Sequence, residues 1–171
     1  TQYYAVSLIG KTLVLLIAPI NTIVISYLTK RKERLTRSQF GKAVLAGGGV
    51  SLVFFVACQI GTLLFVWLFY RNLYESVKGI VTVVNLAQIL GLFSAFLFIL
   101  VLTFTDERWQ LWIQLAHFCI LLVSSVLAAR TYGMMGFAVA SLGANSLRVA
   151  AVVILGIVKA GKDKGDRNAD R

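Results

Sequence analysis

The chain has 171 residues, of which 58% are hydrophobic and only 14% are charged, and its formal net charge is +10. This composition excludes a soluble globular domain. Five apolar stretches, at about 3–29, 43–69, 80–104, 109–129 and 133–158, are each long enough to cross a bilayer, since a helix needs about 20 residues for this. Lipid offers no partner for an unpaired backbone amide. We therefore predict an all-α membrane protein, a bundle of five transmembrane helices over 1–158 with a basic tail over 159–171.

The first two stretches are interrupted by residues that disturb a helix. Pro19, the only proline of the chain, lies near the middle of the first stretch and predicts a kink. A polar, basic loop over 30–41 follows. The second stretch opens with Gly47, Gly48 and Gly49, which favour close packing or a bend, because small residues let helices approach each other in a membrane.

Short connections join the last three stretches. The connection over 105–108 predicts an antiparallel hairpin of the third and fourth stretches, and a turn at 131–133 joins the fourth to the fifth. The tail from Lys159 alternates Gly, Lys and Asp and is expected to be disordered. Small residues at four-residue spacing in the fifth stretch predict a close helix–helix contact. They are Gly136, Ala140 and Ala144.

The placement of the basic residues predicts the orientation. Twelve lie in the loop after the first stretch, the connection after the third and the tail, whereas Arg71, Lys78 and Arg130 follow the second and fourth stretches. Cytoplasmic segments carry the excess of Lys and Arg, so we predict an extracytoplasmic amino terminus and a cytoplasmic carboxyl terminus. The positive charge then faces lipid head groups and not nucleic acid. The twelve residues are Lys30, Arg31, Lys32, Arg34, Arg37, Lys42, Arg108, Lys159, Lys162, Lys164, Arg167 and Arg171.

Polar side chains within the apolar stretches fall on narrow helical stripes, since residues three or four apart share a face. The candidates for lining a hydrated path and binding substrate are Lys11, Asn85, Gln88, Gln114, His117, Asn145 and Arg148. Each has a structural alternative, because a lysine can extend to the interface and the amides and histidine can join helices. Arg148 carries the sharpest functional signal. It lies beyond the middle of its stretch, and no stretch contains Asp or Glu, which predicts a partner elsewhere or an anionic cargo.

The sequence offers no pattern for catalysis. Ser141 and His117 could form a nucleophile–base pair on neighbouring helices, but any bundle supplies such a pair by chance. Cys58 and Cys119 lack metal-ligand spacing and are predicted to be small buried hydrophobic side chains. We therefore predict a transporter without catalytic residues, metal or cofactor.

Two segments resemble one protein family, the polysaccharide flippases. The first, at 3–30, is YYAVSLIGKTLVLLIAPINTIVISYLTK, and it resembles the start of their C-terminal conserved region. The second, at 132–148, is YGMMGFAVASLGANSLR, and it is similar to a late helix of the family. The chain departs from the family at one point: many relatives carry proline late in the first of these helices, where this chain has Ser26 or nearby residues. The matching residues are Tyr3, Tyr4, Pro19, Ile20, Lys30, Gly133, Gly136, Ala138 and Ala140.

These flippases are the O-antigen and exopolysaccharide translocases of the multidrug/oligosaccharidyl-lipid/polysaccharide exporter (MATE) superfamily. The resemblance implies that the five helices are helices eight to twelve of a twelve-helix MATE-like transporter, and Thr1 in place of Met accords with a piece of a longer protein. It further implies flipping of an undecaprenyl-pyrophosphate-linked oligosaccharide across the bacterial inner membrane by alternating access, for lipopolysaccharide or other surface polysaccharide. Two alternatives remain open: a multidrug or cation exporter of the same superfamily, and a non-transporting membrane scaffold or accessory subunit.

Overall fold

The computed structural model describes residues 7, 8, 11, 12, 36–102 and 105–160. Within these residues the chain is all-helical, with helices α1 (Arg37–Phe69), α2 (Arg71–Leu102) and α3 (Glu107–Lys159). All three are long and apolar enough to span a membrane. The predicted all-α class is thus confirmed for the described residues, and so is the presence of helices whose length and hydropathy suit a membrane. Most of the first apolar stretch, including Pro19, lies outside the described residues, so the count of five helices stays a prediction.

α1 and α2 begin earlier than the apolar stretches that predicted them. Thr36 caps α1 with a capping box, in which the Gln39 N–H donates to Thr36 Oγ1 at 3.4 Å and the Thr36 N–H donates to Gln39 Oε1 at 3.1 Å. These bonds satisfy amides at the helix start, so the end of the predicted basic loop, from Arg37, is helical. α2 likewise begins at Arg71 instead of near residue 80. Hydropathy locates the part of a helix that suits lipid, whereas capping and turn geometry decide where the helix begins.

α1 and α2 form an antiparallel hairpin that turns at Tyr70. Tyr70 leaves helical geometry at φ −132° and ψ 44°, while its N–H still donates to Val66 O at 2.8 Å. Beside this turn, Val66 packs in one apolar cluster with Val77. Far from the turn, Gly47 lies so close to Phe96 that a Cβ there would come within 2.8 Å of the ring. The predicted close packing of the glycine triplet is confirmed at Gly47.

α3 reverses direction at Gly133. This residue has φ 60° and ψ −140°, a conformation that glycine adopts freely and L side chains rarely adopt. Shortly after the turn, Gly136 lies against the backbone of Ala128, where any added Cβ would collide with the carbonyl oxygen. The predicted turn and the predicted close helix contact at Gly136 are both confirmed.

The two arms of α3, 107–132 and 134–159, run antiparallel. Lys159 Nζ, at the end of the second arm, lies 5.6 Å from the centroid of the Trp109 ring, near the start of the first. The fourth and fifth apolar stretches therefore correspond to the two arms of one helical hairpin. Lys159 ends this helix and is not the first residue of a disordered tail; residues 161–171 lie outside the described part of the chain.

α2 packs between α1 and the second arm of α3. Val84 and Ala138 share one buried cluster, and Leu97 and Val152 share another with Phe40. Because these pairs advance in the same direction, α2 and the second arm run parallel. We call the end of the bundle near Phe40 the basic end and the end near Tyr70 and Gly133 the turn end. The described basic residues of the basic end are Arg37, Lys42, Arg108 and Lys159.

The outward faces of α1 and of the first arm of α3 are apolar. Leu64, Phe118 and Leu122 are each more than half exposed, as expected for helices that face lipid. Cys119, in the first arm of α3, is exposed, whereas Cys58, in α1, is buried. The prediction that Cys119 is buried is therefore wrong. Apolar character does not decide burial in a membrane protein, because such residues face lipid as readily as protein.

Candidate functional site

Asn85 lies in the interface between α1 and α2. Its side chain is fully buried, and its Nδ2 donates towards Thr62 Oγ1 at 3.2 Å, Gln59 Oε1 at 3.2 Å and Cys58 O at 3.4 Å. The Thr62 hydroxyl is also placed to donate to Asn85 Oδ1 at 3.4 Å. All these partners belong to α1, so Asn85 joins two helices, and none of these bonds involves another predicted site residue.

Gln88 faces the first apolar stretch. Its Nε2 donates to the backbone oxygen of Ser7 at 3.4 Å. Its Oε1 is buried and accepts no hydrogen bond from the residues that the structure describes. Lys11, one helical turn after Ser7, is exposed. Gln88 thus bonds to a described residue of the first apolar stretch.

His117 and Asn145 contact each other directly and join three helical segments. His117 Nε2 lies 3.1 Å from Asn145 Oδ1, and Asn145 Nδ2 donates to the backbone oxygen of Ala87 in α2 at 2.8 Å. A carbonyl oxygen only accepts, so this second bond fixes the orientation of the amide. Asn145 Oδ1 must then accept from an Nε2–H of His117, which assigns the tautomer of a neutral imidazole. The two side chains together tie both arms of α3 to α2.

Arg148 follows Asn145 on the same face of the second arm and borders an open groove of about 670 Å³. Its Cζ lies 4.9 Å from the centroid of the Phe98 ring in α2. Its Nε is buried and has no hydrogen-bond partner within 36–102 and 105–160 or the four earlier described residues. The ring attracts the cation through its quadrupole but offers Nε–H no oxygen acceptor. The guanidinium thus contacts the Phe98 ring, and its Nε–H is unsatisfied within the described part of the chain.

The groove combines cationic, amide and apolar side chains from α2 and both arms of α3. Arg108 and Arg148 supply the charge, and no Asp or Glu is among the described residues that line it. Gln110 is buried and donates to Thr105 Oγ1 at 3.2 Å, whereas Gln114 is exposed within the groove. The apolar lining includes Phe98, Ile99 and Leu111.

The groove runs from the basic end into the apolar part of the bundle. Arg108 lies in the first turn of α3, and Arg148 lies opposite Gln114, because His117 lies opposite Asn145 in the antiparallel arms. Gln114 is about six residues beyond Arg108, so the two arginines are about 9 Å apart along the helix axis at about 1.5 Å per residue. If each arm of α3 crosses a bilayer, Arg108 would lie near the head groups and Arg148 deeper in the apolar region. The arrangement suits the anionic group of an amphipathic molecule.

Sequence reasoning named Gln114 and Arg148 as site residues and placed Gln110 on the polar stripe of Gln114, but it missed Arg108 and Phe98. Arg108 was assigned to a short connection, and no sequence signal distinguishes Phe98 from other apolar residues of α2.

Among the described residues, no group of three or more His, Cys, Asp and Glu is placed to hold a metal ion. No family model, curated protein or solved structure matches the chain, and the resemblance to polysaccharide flippases stays a prediction.

Proposed function

We propose that the chain is part of a membrane translocase that moves a lipid-linked oligosaccharide from the inner to the outer leaflet by alternating access. The observation that carries the proposal is the groove in which Arg148 Nε has no partner among the described residues. A lipid-linked anion joins a phosphate group to an apolar chain. The groove offers guanidinium groups beside apolar walls, which is the complementary chemistry.

The proposal includes an architecture and a location. The chain would supply the carboxyl-terminal five helices of a twelve-helix MATE-like transporter in the bacterial inner membrane, with the basic end in the cytoplasm. Its partners would be the bilayer, the amino-terminal helices of the same protein and an undecaprenyl-pyrophosphate-linked oligosaccharide. The excess of basic residues at one end supports this orientation.

Charge favours an anionic over a cationic cargo. The five apolar stretches contain Lys11 and Arg148 and no Asp or Glu. A cation exporter needs a negative group along its path, because a bare cation in a low-dielectric interior requires compensation. A multidrug or cation exporter would therefore depend on carboxylates supplied by other helices.

A non-transporting scaffold is the second candidate, and the bonds of Asn85 and Asn145 favour it. Their amides bond to other helices, as expected of groups that only hold a bundle together, each worth about 0.6 kcal/mol. Arg148 argues against it. An arginine near the centre of a membrane helix costs about 2.5–3.5 kcal/mol, and a scaffold would gain no stability by keeping it.

The test is export of surface polysaccharide by cells that carry Arg148→Gln in the full-length protein. We expect export to fall at least about tenfold, since a bidentate, charge-assisted contact is lost. Arg130→Gln is the matched control, because Arg130 is exposed near the turn end, away from the groove. Unchanged export with Arg148→Gln, at equal protein level in the membrane, would overturn the assignment of this groove to the cargo.

A further inference from the structure

We infer that Phe98 and Arg108 complete the anion site of the groove. Phe98 is the positioning residue that keeps the Arg148 guanidinium at the groove wall, and Arg108 is a second cation at the basic end. The ligand class is an amphiphile that carries a phosphate group. The inference rests on the proposed function only in taking this groove as the cargo site, and it adds two residues that the sequence analysis did not select.

The position of Phe98 explains how Arg148 stays aligned without a hydrogen-bonding partner at Nε. A free arginine side chain carries about 2 kcal/mol of rotamer entropy, part of which is lost whenever it binds a ligand. With Cζ 4.9 Å from the ring centroid, the guanidinium is within the range of about 6 Å in which an aromatic face attracts a cation. Stacking therefore preorganises Arg148, so Phe98 raises affinity without contacting the phosphate.

Arg108 differs from the other cations of the basic end because it lines the groove. Lys159, at the same end, is directed to the Trp109 ring, and it does not line the groove. Asp106 is exposed and lowers the net charge of this end, but it is not part of the lining either. Arg108 is thus the first cation that a phosphate would meet on its way from the head-group region towards Arg148.

The apolar lining selects an amphiphile over a free anion. Ala95, Ile99 and Leu111 border the same groove as the two arginines. An acyl or prenyl chain laid against them would bury apolar surface that a free phosphate ion cannot bury. Inorganic phosphate is therefore expected to bind more weakly than a lipid with the same head group.

The experiment measures binding of radiolabelled dihexanoyl phosphatidic acid to the full-length protein in phosphatidylcholine nanodiscs. We expect Arg148→Gln to weaken binding at least about tenfold and Arg108→Gln about threefold, the latter more at low salt because Arg108 is exposed. Phe98→Leu, which keeps apolar volume but removes the aromatic face, should weaken binding about fivefold. Phe98→Tyr should restore it, and Arg130→Gln, away from the groove, should leave it unchanged.

Each part of the inference has a result that overturns it. Wild-type binding by Phe98→Leu, or equal losses in Phe98→Leu and Phe98→Tyr, overturns the positioning role, because the second result assigns the effect to packing. If Arg108→Gln does not weaken binding at low salt, the assignment of Arg108 to the anion site is overturned. Binding of inorganic phosphate as tight as that of the lipid overturns the amphiphile class. A further outcome is that the protein binds the lipid, with the expected effects of the substitutions and of salt, and yet supports no polysaccharide export. That result would leave the binding site established and overturn the proposed flippase function.

Discussion

Replacing Arg148 by leucine should stabilise the folded protein. An arginine at the centre of a membrane helix costs about 2.5–3.5 kcal/mol, and stacking on Phe98 returns about 0.5–2 kcal/mol of this. Arg148 is only partly buried and borders an open groove, so hydration lowers the cost further. We expect Arg148→Leu to raise the free energy of unfolding by about 1 kcal/mol, because the remaining cost of the arginine exceeds the stacking energy that is lost.

The assay is SDS-driven unfolding in mixed micelles, followed by the fluorescence of the tryptophans, two of which (Trp109 and Trp112) lie in the first arm of α3. Arg130→Leu is the matched control, since Arg130 is exposed near the turn end, and it should change the free energy by less than about 0.5 kcal/mol. A fall of about 2 kcal/mol or more for Arg148→Leu would assign the guanidinium a structural role. That result would refute the reasoning that Arg148 is retained for an anionic ligand.

Three further predictions concern the bundle itself. Asn85→Ala removes hydrogen bonds to α1 and should lower the free energy of unfolding by about 1–2 kcal/mol in the same assay; an unchanged value would contradict its role as a joint. Gly136→Ala should cost about 1–3 kcal/mol because its Cβ would collide with the first arm, whereas Gly143→Ala, with nothing within 4 Å, should be neutral. In intact cells a membrane-impermeant maleimide should label Arg71→Cys, and Lys42→Cys only after permeabilisation; the reverse pattern would exclude the proposed orientation.

The helices and their turns were the most predictable part of the fold. Apolar length alone located α1, α2 and both arms of α3, because lipid imposes one requirement on every spanning segment. Gly133 was predictable as a turn because a polar, glycine-containing interruption separated two long apolar runs. The starts of α1 and α2 were not, since the capping box of Thr36 lies in a polar segment that hydropathy assigns to a loop.

The partners of the polar residues were beyond sequence reasoning. Asn85 and Asn145 look alike in the sequence, yet one bonds to α1 and the other to His117 and to α2. The helix that faces each asparagine depends on how neighbouring helices are paired and on their relative register. The stripe of polar side chains along one helix does not encode either. Phe98 shows the same limit, because only its distance from Arg148 distinguishes it from the other apolar residues of α2.

The chemistry of the two kinds of polar side chain explains why the proposed anion site centres on an arginine and not on an amide. Asn145 has both donors and an acceptor, so one backbone carbonyl and one imidazole can satisfy it. A guanidinium has five N–H donors and no acceptor, while the carbonyls within a helix already accept bonds from their own helix. Within the described residues the groove lining contains no carboxylate, so a ligand with anionic oxygens would supply the acceptor that Arg148 Nε lacks there. A phosphate group offers such oxygens, so the proposed ligand class matches the donor pattern of the guanidinium.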